Sequence, residues 1–535
     1  MNIIRCTVLY LAFVGIGLLE SLGTNAEAEG LRTVAVSSNV APDSGDIFSS
    51  FGLPVLNDHG QTAFPGTLAG PGVDPSNDLG LWSEGTGTLG LVARESSAAP
   101  GTSANFSSLS DPVLNNAGQI AFLGGLAGLG VDPNNDRGIW SEGGGPIALV
   151  AREGDAAPDT TVIFSRIALP PVFNNSGQTA FHGQLSGIDV DHGNDRGIWS
   201  EGSGSLTLVV RDGNAAPGTG AIFSGSEFPV LNGLGKIAFR GILSGTGVIS
   251  NNNSGIWYGS DGSLVLVVRE GEVAPGTNAS FSGFGLPVVN NASQTAFLGN
   301  LLGTEVDSNN DSGVWSGGSG SIILIAREGS VAPGVDGNFA SFSDPVMNGA
   351  GQVLFRATLE GEQVSASNNH GIWSEGNGSL ALLARSGHPA SGTSATFSSF
   401  EDPIINAMGQ AAFLGYLTGL GVGSNNNSGI WAQNSSGVLT LIVREGDLLD
   451  IDNGLGTDFR QISELGFVGG SGNEDGRASG FNDLGQVAFR ARFTDGSSGI
   501  FVSDLVAIPE PSSSLLLCIA VVGLLFRCTK NRTFF

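Results

Sequence analysis

The segment between the two ends of this 535-residue chain contains no cysteine. Cys6, Cys518 and Cys528 all lie in the apolar terminal segments, which excludes both a disulfide framework and a cysteine-ligated metal for the central region. Lysine is almost missing, at Lys236 and Lys530 alone, and charged residues make up only 13% of the chain. Strong helix formers are therefore scarce, and no phosphate-binding loop followed by a helix can be found. Positive charge is too sparse for nucleic acid or an anionic membrane surface, since the formal net charge is −27 and is spread along the sequence. What is abundant is glycine, at 85 residues, set with Asn, Ser and Thr between short apolar runs. That is turn chemistry at high density, and it points to an all-β chain.

A phrase of the form Asn-x-x-Gly-x-x-Ala-Phe recurs eight times, ending at Phe64, Phe122, Phe181, Phe239, Phe297, Phe355, Phe413 and Phe489. The first seven copies are 58 or 59 residues apart and the last gap is 76. Each of the 7 tryptophans, from Trp82 to Trp431, follows a repeat phenylalanine by 18 residues. A fixed period of this length means one supersecondary unit copied many times. Residues 106–152 show the unit. Phe106 to Asn115 reads as a strand, entered by Asp111-Pro112, and Asn115 to Gly118 as a tight turn. Gln119 to Leu126 reads as a second strand and Gly128 to Arg137 as a long polar loop. Gly138 to Glu142 and Ile147 to Arg152 complete a third and a fourth strand around another tight turn. Four antiparallel strands, here A to D from the ring centre outward, describe a β-propeller blade.

The chain ends give a check. Leu31 to Val36, followed by Ala41-Pro42, has the pattern of a D strand, whereas the last repeat stops at a C strand, Gly499-Ile500-Phe501. Pairing the spare N-terminal strand with the last C strand closes the ring and leaves no frayed edge. The expected fold is thus all-β, an eight-bladed β-propeller of four-stranded antiparallel blades, closed by the N-terminal strand completing the last blade. The regular tryptophans and phenylalanines are expected between blades, as core.

Strands A and B are similar to the TolB-type propeller repeat, with Pro112, Asn115, Gly118, Ala121 and Phe122 matching and the Ser-Pro-Asp portion absent. The repeat as a whole resembles bacterial surface proteins with tandem NxxGxxAF repeats, a resemblance that implies no established activity. Met1 to Ala28 reads as a secretory signal peptide, with one basic residue, an apolar run and Ala26-Glu27-Ala28. Pro509-Glu510-Pro511, an apolar run from Leu515 to Phe526 and the basic Arg527, Lys530 and Arg532 resemble the PEP-CTERM sorting signal of Gram-negative bacteria. That resemblance implies an exosortase-type partner and delivery to the cell surface or extracellular matrix. The organisation expected is residues 1–28 as leader, 29–505 as propeller and 506–535 as a sorting and transient membrane segment, the protein being a monomer.

Loop lengths name a working face. The A–B and C–D turns are tight, and the B–C and D–A connections, on the opposite side of the ring, are long and rich in Asn and Asp. The B–C loops carry Asp74 and Asp78, Asp132 and Asp136, Asp191 and Asp195, and Asp307 and Asp311. Clustered carboxylate oxygens suit Ca2+. Other copies carry only amides there, such as Asn251-Asn252-Asn253, and Asx-turns that cap a strand account for the same residues. Seven arginines, from Arg94 to Arg444, end the D strands and read as partners of a local carboxylate or an adjacent loop. The five histidines follow no metal spacing. The insertion from Asp447 to Ser479 in the last repeat reads, from its glycine content, as a flexible excursion, the other reading being a cap on the channel. These features together point to a binding or structural module that holds polysaccharide or an envelope protein through its long-loop face. The alternative is a propeller enzyme acting on extracellular polysaccharide.

Overall fold

A computed structural model describes residues 31–503 apart from 319 and 453–455. The leader at 1–28 and the sorting segment, with Pro509, Glu510 and Pro511, lie outside the described residues. Every regular element among the described residues is a β-strand. The strands form eight antiparallel sheets, one per repeat, in the order expected of propeller blades. In the second blade, strands B, C and D are Ile120–Ala127, Arg137–Ser141 and Ala148–Arg152, each within one residue of the expected start.

Strand A departs from the sequence reading. It is not one strand from Phe106 to Asn115 but two, Asn105–Leu109 and Val113–Leu114, both paired with strand B. Pro112 stands at the break and has no N–H to give to a ladder, and the register has already slipped between Phe106 and Ser108. Pro54, Pro171, Pro229, Pro287, Pro345 and Pro403 hold the same place in other blades. Seven blades therefore have five short strands; the eighth keeps an undivided strand A, Phe459–Gly466, with Leu448–Asp450 paired beside it. The two-residue inner strands of successive blades lie side by side around the ring axis.

The ring closes as the chain ends predict. Leu31–Val36 runs antiparallel to Ser498–Ser503, with Leu31 opposite Ser503 and Val36 opposite Gly499. The first strand made is thus the outer strand of the last blade.

The core is a set of layers between blades. Ala63, Leu81 and Ala93 of the first blade pack on Phe106, Phe122 and Trp140 of the second, and the same layer recurs around the ring. All seven tryptophans are fully buried. Each indole N–H donates to a backbone carbonyl in the preceding D–A connection, at 3.0–3.1 Å, six times to a proline and once to Ser391. A buried indole needs such an acceptor, which is why the Ala-Pro step keeps time with the tryptophan.

The repeated asparagine has a separate task. Asn57 Oδ1 accepts the amides of His59 and Gln61, closing the A–B turn. Its Nδ2 donates to the carbonyl of Asn115 in the next blade. The same bond passes through Asn174, Asn232, Asn290, Asn348, Asn406 and Asn482, and Asn482 returns it to Asn57. The eight bonds measure 2.8–3.2 Å and form an unbroken belt. The glycine of the phrase takes a left-handed φ, 78° at Gly118, and in the fifth blade Ser293 adopts 65° in its place.

Candidate functional site

The long-loop face is built from rigid parts. Each D-strand arginine donates Nε to a B–C loop carbonyl of its own blade, from Arg94 with Asn77 to Arg444 with Asn426, at 2.7–3.1 Å. The adjacent-loop reading of these arginines holds seven times, and only Arg94 adds an ion pair, with Asp46.

The two aspartates of each acidic loop have different roles. Asp74, Asp132, Asp191 and Asp307 are exposed, and each accepts the amide of the residue two ahead, at 2.8–2.9 Å. These are Asx-turns. The Ser76 hydroxyl and amide hold Asp74 below the usual carboxylate range. Asp78, Asp136, Asp195 and Asp311 turn inward and face a carboxyl group at the end of strand D, respectively Glu95, Glu153, Asp212 and Glu328. Burial, with Asp136 adding to it, pushes Glu153 up to about 7. Burial and Asp195 push Asp212 up to about 6. Two carboxylates in one desolvated site resist ionising together. Among the described residues no three His, Cys, Asp or Glu side chains converge as a metal site would require. The D-end partners were missed in the sequence, where the signal was the Glu-Gly or Asp-Gly step after each arginine.

In most blades this D-end side chain fastens the start of strand C. Glu270 Oε2 accepts the amides of Asn253 and Ser254, and Glu328 Oε2 that of Ser312. In the third blade the shorter Asp212 makes no such bond, and both its oxygens are buried without a hydrogen-bond partner.

The opposite end of the ring, that of the A–B turns, is crossed by part of the insertion. The insertion corrects its reading as a flexible excursion: residues 467–480 are ordered and lie across the channel. Ser479, Gly476 and Asp475 accept inner-strand amides of Leu56, Phe173 and Leu231, at 2.7–2.9 Å, and Ser471 accepts that of Ile405. One segment is thereby bonded to the first, third, fourth and seventh blades. A side chain at Gly472 would meet the Met347 carbonyl at 1.8 Å, so the close approach requires glycine. Asp475, 1% exposed, accepts from Ser471 and pairs with Arg477 at 2.5 Å. Glycine here permits contact with neighbouring backbone; it does not indicate looseness.

From the third to the sixth blades, the short segments between the two halves of strand A line a recess of about 490 Å3. His182, Arg196, Ser226, Glu227, Phe228, Arg240, Leu286 and Asp344 line it. Phe228 is 49% exposed, and its ring meets the His182 imidazole edge-on at 5.9 Å. Arg240 pairs with Glu227 and donates to the Phe284 carbonyl. Burial, and next the nearby Arg196, push His182 down to about 4, so its imidazole is neutral at physiological pH. Burial raises Asp344, opposed by the Leu286 amide, Arg477 and Arg240. Sequence reading passed over His182 because it matched no motif. Its one signal was position, directly after a repeat phenylalanine.

Three solved structures illustrate the similarity to known folds. The propeller domain of the Trilobed protease from Pyrococcus furiosus, described as having an open velcro topology, aligns with a TM-score of 0.38 and 11% identity, over 75% of this chain and 99% of that one. The acylaminoacyl peptidase of Pyrococcus horikoshii aligns at 0.36 and 10% identity, over 83% of this chain and 58% of that one. Trypanosoma rangeli sialidase in complex with sialic acid aligns at 0.26 and 10% identity, over 74% and 57%. The chain thus spans a little over half the length of the last two. The sequence matches none of the curated proteins with which it was compared. It does match one family profile, described as "Family of unknown function (DUF7453)", over residues 20–144 and again over 56–515. The chain belongs to that family.

Proposed function

We propose that this protein is an exported binding module that holds an extracellular polysaccharide or envelope component on its long-loop face. The observation that carries the reading is the difference between the two ends of the ring. One end is tied by the asparagine belt and crossed by the 467–480 segment. The other presents an open recess inside a rim of loops, each held by its own arginine. A rigid scaffold that holds its loops before a ligand arrives lowers the ordering cost of binding. Export follows from the leader at 1–28, and surface delivery from the Pro509-Glu510-Pro511 segment acting with an exosortase-type enzyme. Enzymatic cleavage of polysaccharide is the weaker reading. It asks for a pair of carboxyl groups free to face a bound chain; the pairs Asp136–Glu153 and Asp311–Glu328 lie at loop–strand junctions, and of the two carboxyl groups on the recess Glu227 is already paired with Arg240.

The test is retention of residues 29–505 on a glycan array and on matrix polysaccharide, with Ca2+ and with chelator. The protein should be retained in both buffers, because the exposed loop aspartates are already engaged by loop amides. Retention lost in chelator would assign the loops to calcium instead. No retention in either buffer would remove the polysaccharide reading.

A further inference from the structure

The eight repeats act as internal references, and two residues of the recess depart from their counterparts. The residue after the repeat phenylalanine is Leu123, Leu298 or Leu414 in three blades and Arg240, Arg356 or Arg490 in three others. The third blade alone has histidine there, His182. The residue before the strand-A proline is Leu53, Asp111, Leu286, Asp344 or Asp402 in five blades, and in the fourth it is the aromatic Phe228. These two exceptions touch each other.

Three polar atoms around them lack protein partners. His182 Nε2, Ser226 Oγ and Arg240 Nε are all buried, and none has a hydrogen bond. The unpaired Nε recurs at Arg356 and Arg490 and belongs to the repeat, but the histidine and serine atoms are peculiar to this recess. Buried polar atoms are rarely left unpaired, and at the wall of a recess a rotation of the side chain brings such an atom to a ligand.

We propose that this recess seats one neutral sugar ring of the polysaccharide held by the loop face, with the apolar side of the ring on Phe228 and its hydroxyls on His182, Ser226 and Arg240. The proposal rests on the binding reading above and names its central subsite. A sugar fits because the wall combines an exposed aromatic face with a neutral imidazole and a hydroxyl, each able to donate or accept. A neutral ring fits because the charges of Arg196 and Arg240 balance those of Glu227 and Asp344. The recess volume lies within the usual range for small-ligand sites.

The experiment measures binding of residues 29–505, which include every strand of the closed ring, to oligosaccharides of neutral hexoses, N-acetylhexosamines and uronic acids. His182→Leu and Phe228→Ala are compared with wild type. Leucine already occupies the equivalent position in three blades, so His182→Leu should fold, and unchanged thermal unfolding would confirm it. Each variant should bind neutral oligosaccharide roughly tenfold more weakly or worse, as loss of an anchoring contact does. Binding retained within about twofold in both variants would overturn the subsite and leave the loop-face reading standing. Wild type that binds uronic-acid chains in preference to neutral ones would overturn the choice of a neutral sugar. Wild type that binds none would overturn both readings.

Discussion

Replacing Asn232 by alanine tests the asparagine belt at a position where the loss can be counted. Asn232 is fully buried. Its Oδ1 accepts the amides of Leu234 and Lys236 at 3.1 and 2.9 Å, and its Nδ2 donates to the Asn290 carbonyl at 2.9 Å. Alanine removes three bonds, a buried one to the next blade and two in the part-buried A–B turn. At about 1 kcal/mol for each bond lost, the cost is about 3 kcal/mol. Asn232→Asp separates the two halves of the role. The turn acceptor survives, but an oxygen now faces the Asn290 carbonyl, so the cost should equal or exceed that of alanine. Leu234→Ala is the control, because Leu234 is an exposed residue of the same turn. The assay is urea unfolding followed by tryptophan fluorescence, since the seven buried indoles report on every interface from the first blade to the seventh. The reasoning fails if Asn232→Ala costs under about 0.5 kcal/mol, within the range of an ordinary surface substitution, or if Asn232→Asp matches wild type.

Other predictions follow from the same geometry. Glu153, pushed up to about 7 in the fold from an ordinary value near 4.5, binds more protons folded than unfolded. Its contribution is therefore fully present below the unfolded pKa and is lost as pH rises through about 7. Asp136→Asn, which copies the Asn253–Glu270 pairing, should match wild type near pH 4 and exceed its stability by about 1 kcal/mol near pH 8, after allowance for solvent screening. Denaturation across that range decides it, and equal pH profiles would refute the carboxyl pair. Asp475→Ala leaves Arg477 without its ion-pair partner, and protease cleavage within 467–480 should be faster than in wild type. Removal of Leu31–Val36 exposes the last C strand and loses the burial of Ala35 and Val36. It should cost at least about 2 kcal/mol from that burial alone, and size-exclusion chromatography should show association through the open edge.

The ring was legible in the sequence because a repeat states its own period, and because strands of four to eight residues declare themselves by the turns between them. Ring closure by Leu31–Val36 was legible for the same reason, as a strand without a blade. The split of strand A is not legible in the sequence, because a proline such as Pro112, lacking an N–H, suits the entrance of a strand as well as a break within one. The asparagine belt was seen as turn chemistry only. Its second bond, from Nδ2 to the next blade, joins residues 58 or 59 apart, or 76 at the last step, and such a partner has no local signature. The loop aspartates were identified, but their division into exposed turn caps and inward-facing partners of Glu95, Glu153, Asp212 and Glu328 depends on the blade being folded. The place of the 467–480 segment is not legible in the sequence, because glycine serves flexibility and close backbone approach equally, and composition does not separate them.

The central claim is that one face of the ring binds and the other does not. Hydrogen–deuterium exchange on residues 29–505, with and without a retained polysaccharide, tests it directly. The account predicts new protection in the B–C loops and in the segments around Phe228 and Leu286, with the A–B turns, such as 115–119, unchanged. Protection confined to the A–B turns, or spread evenly over both faces, would contradict it.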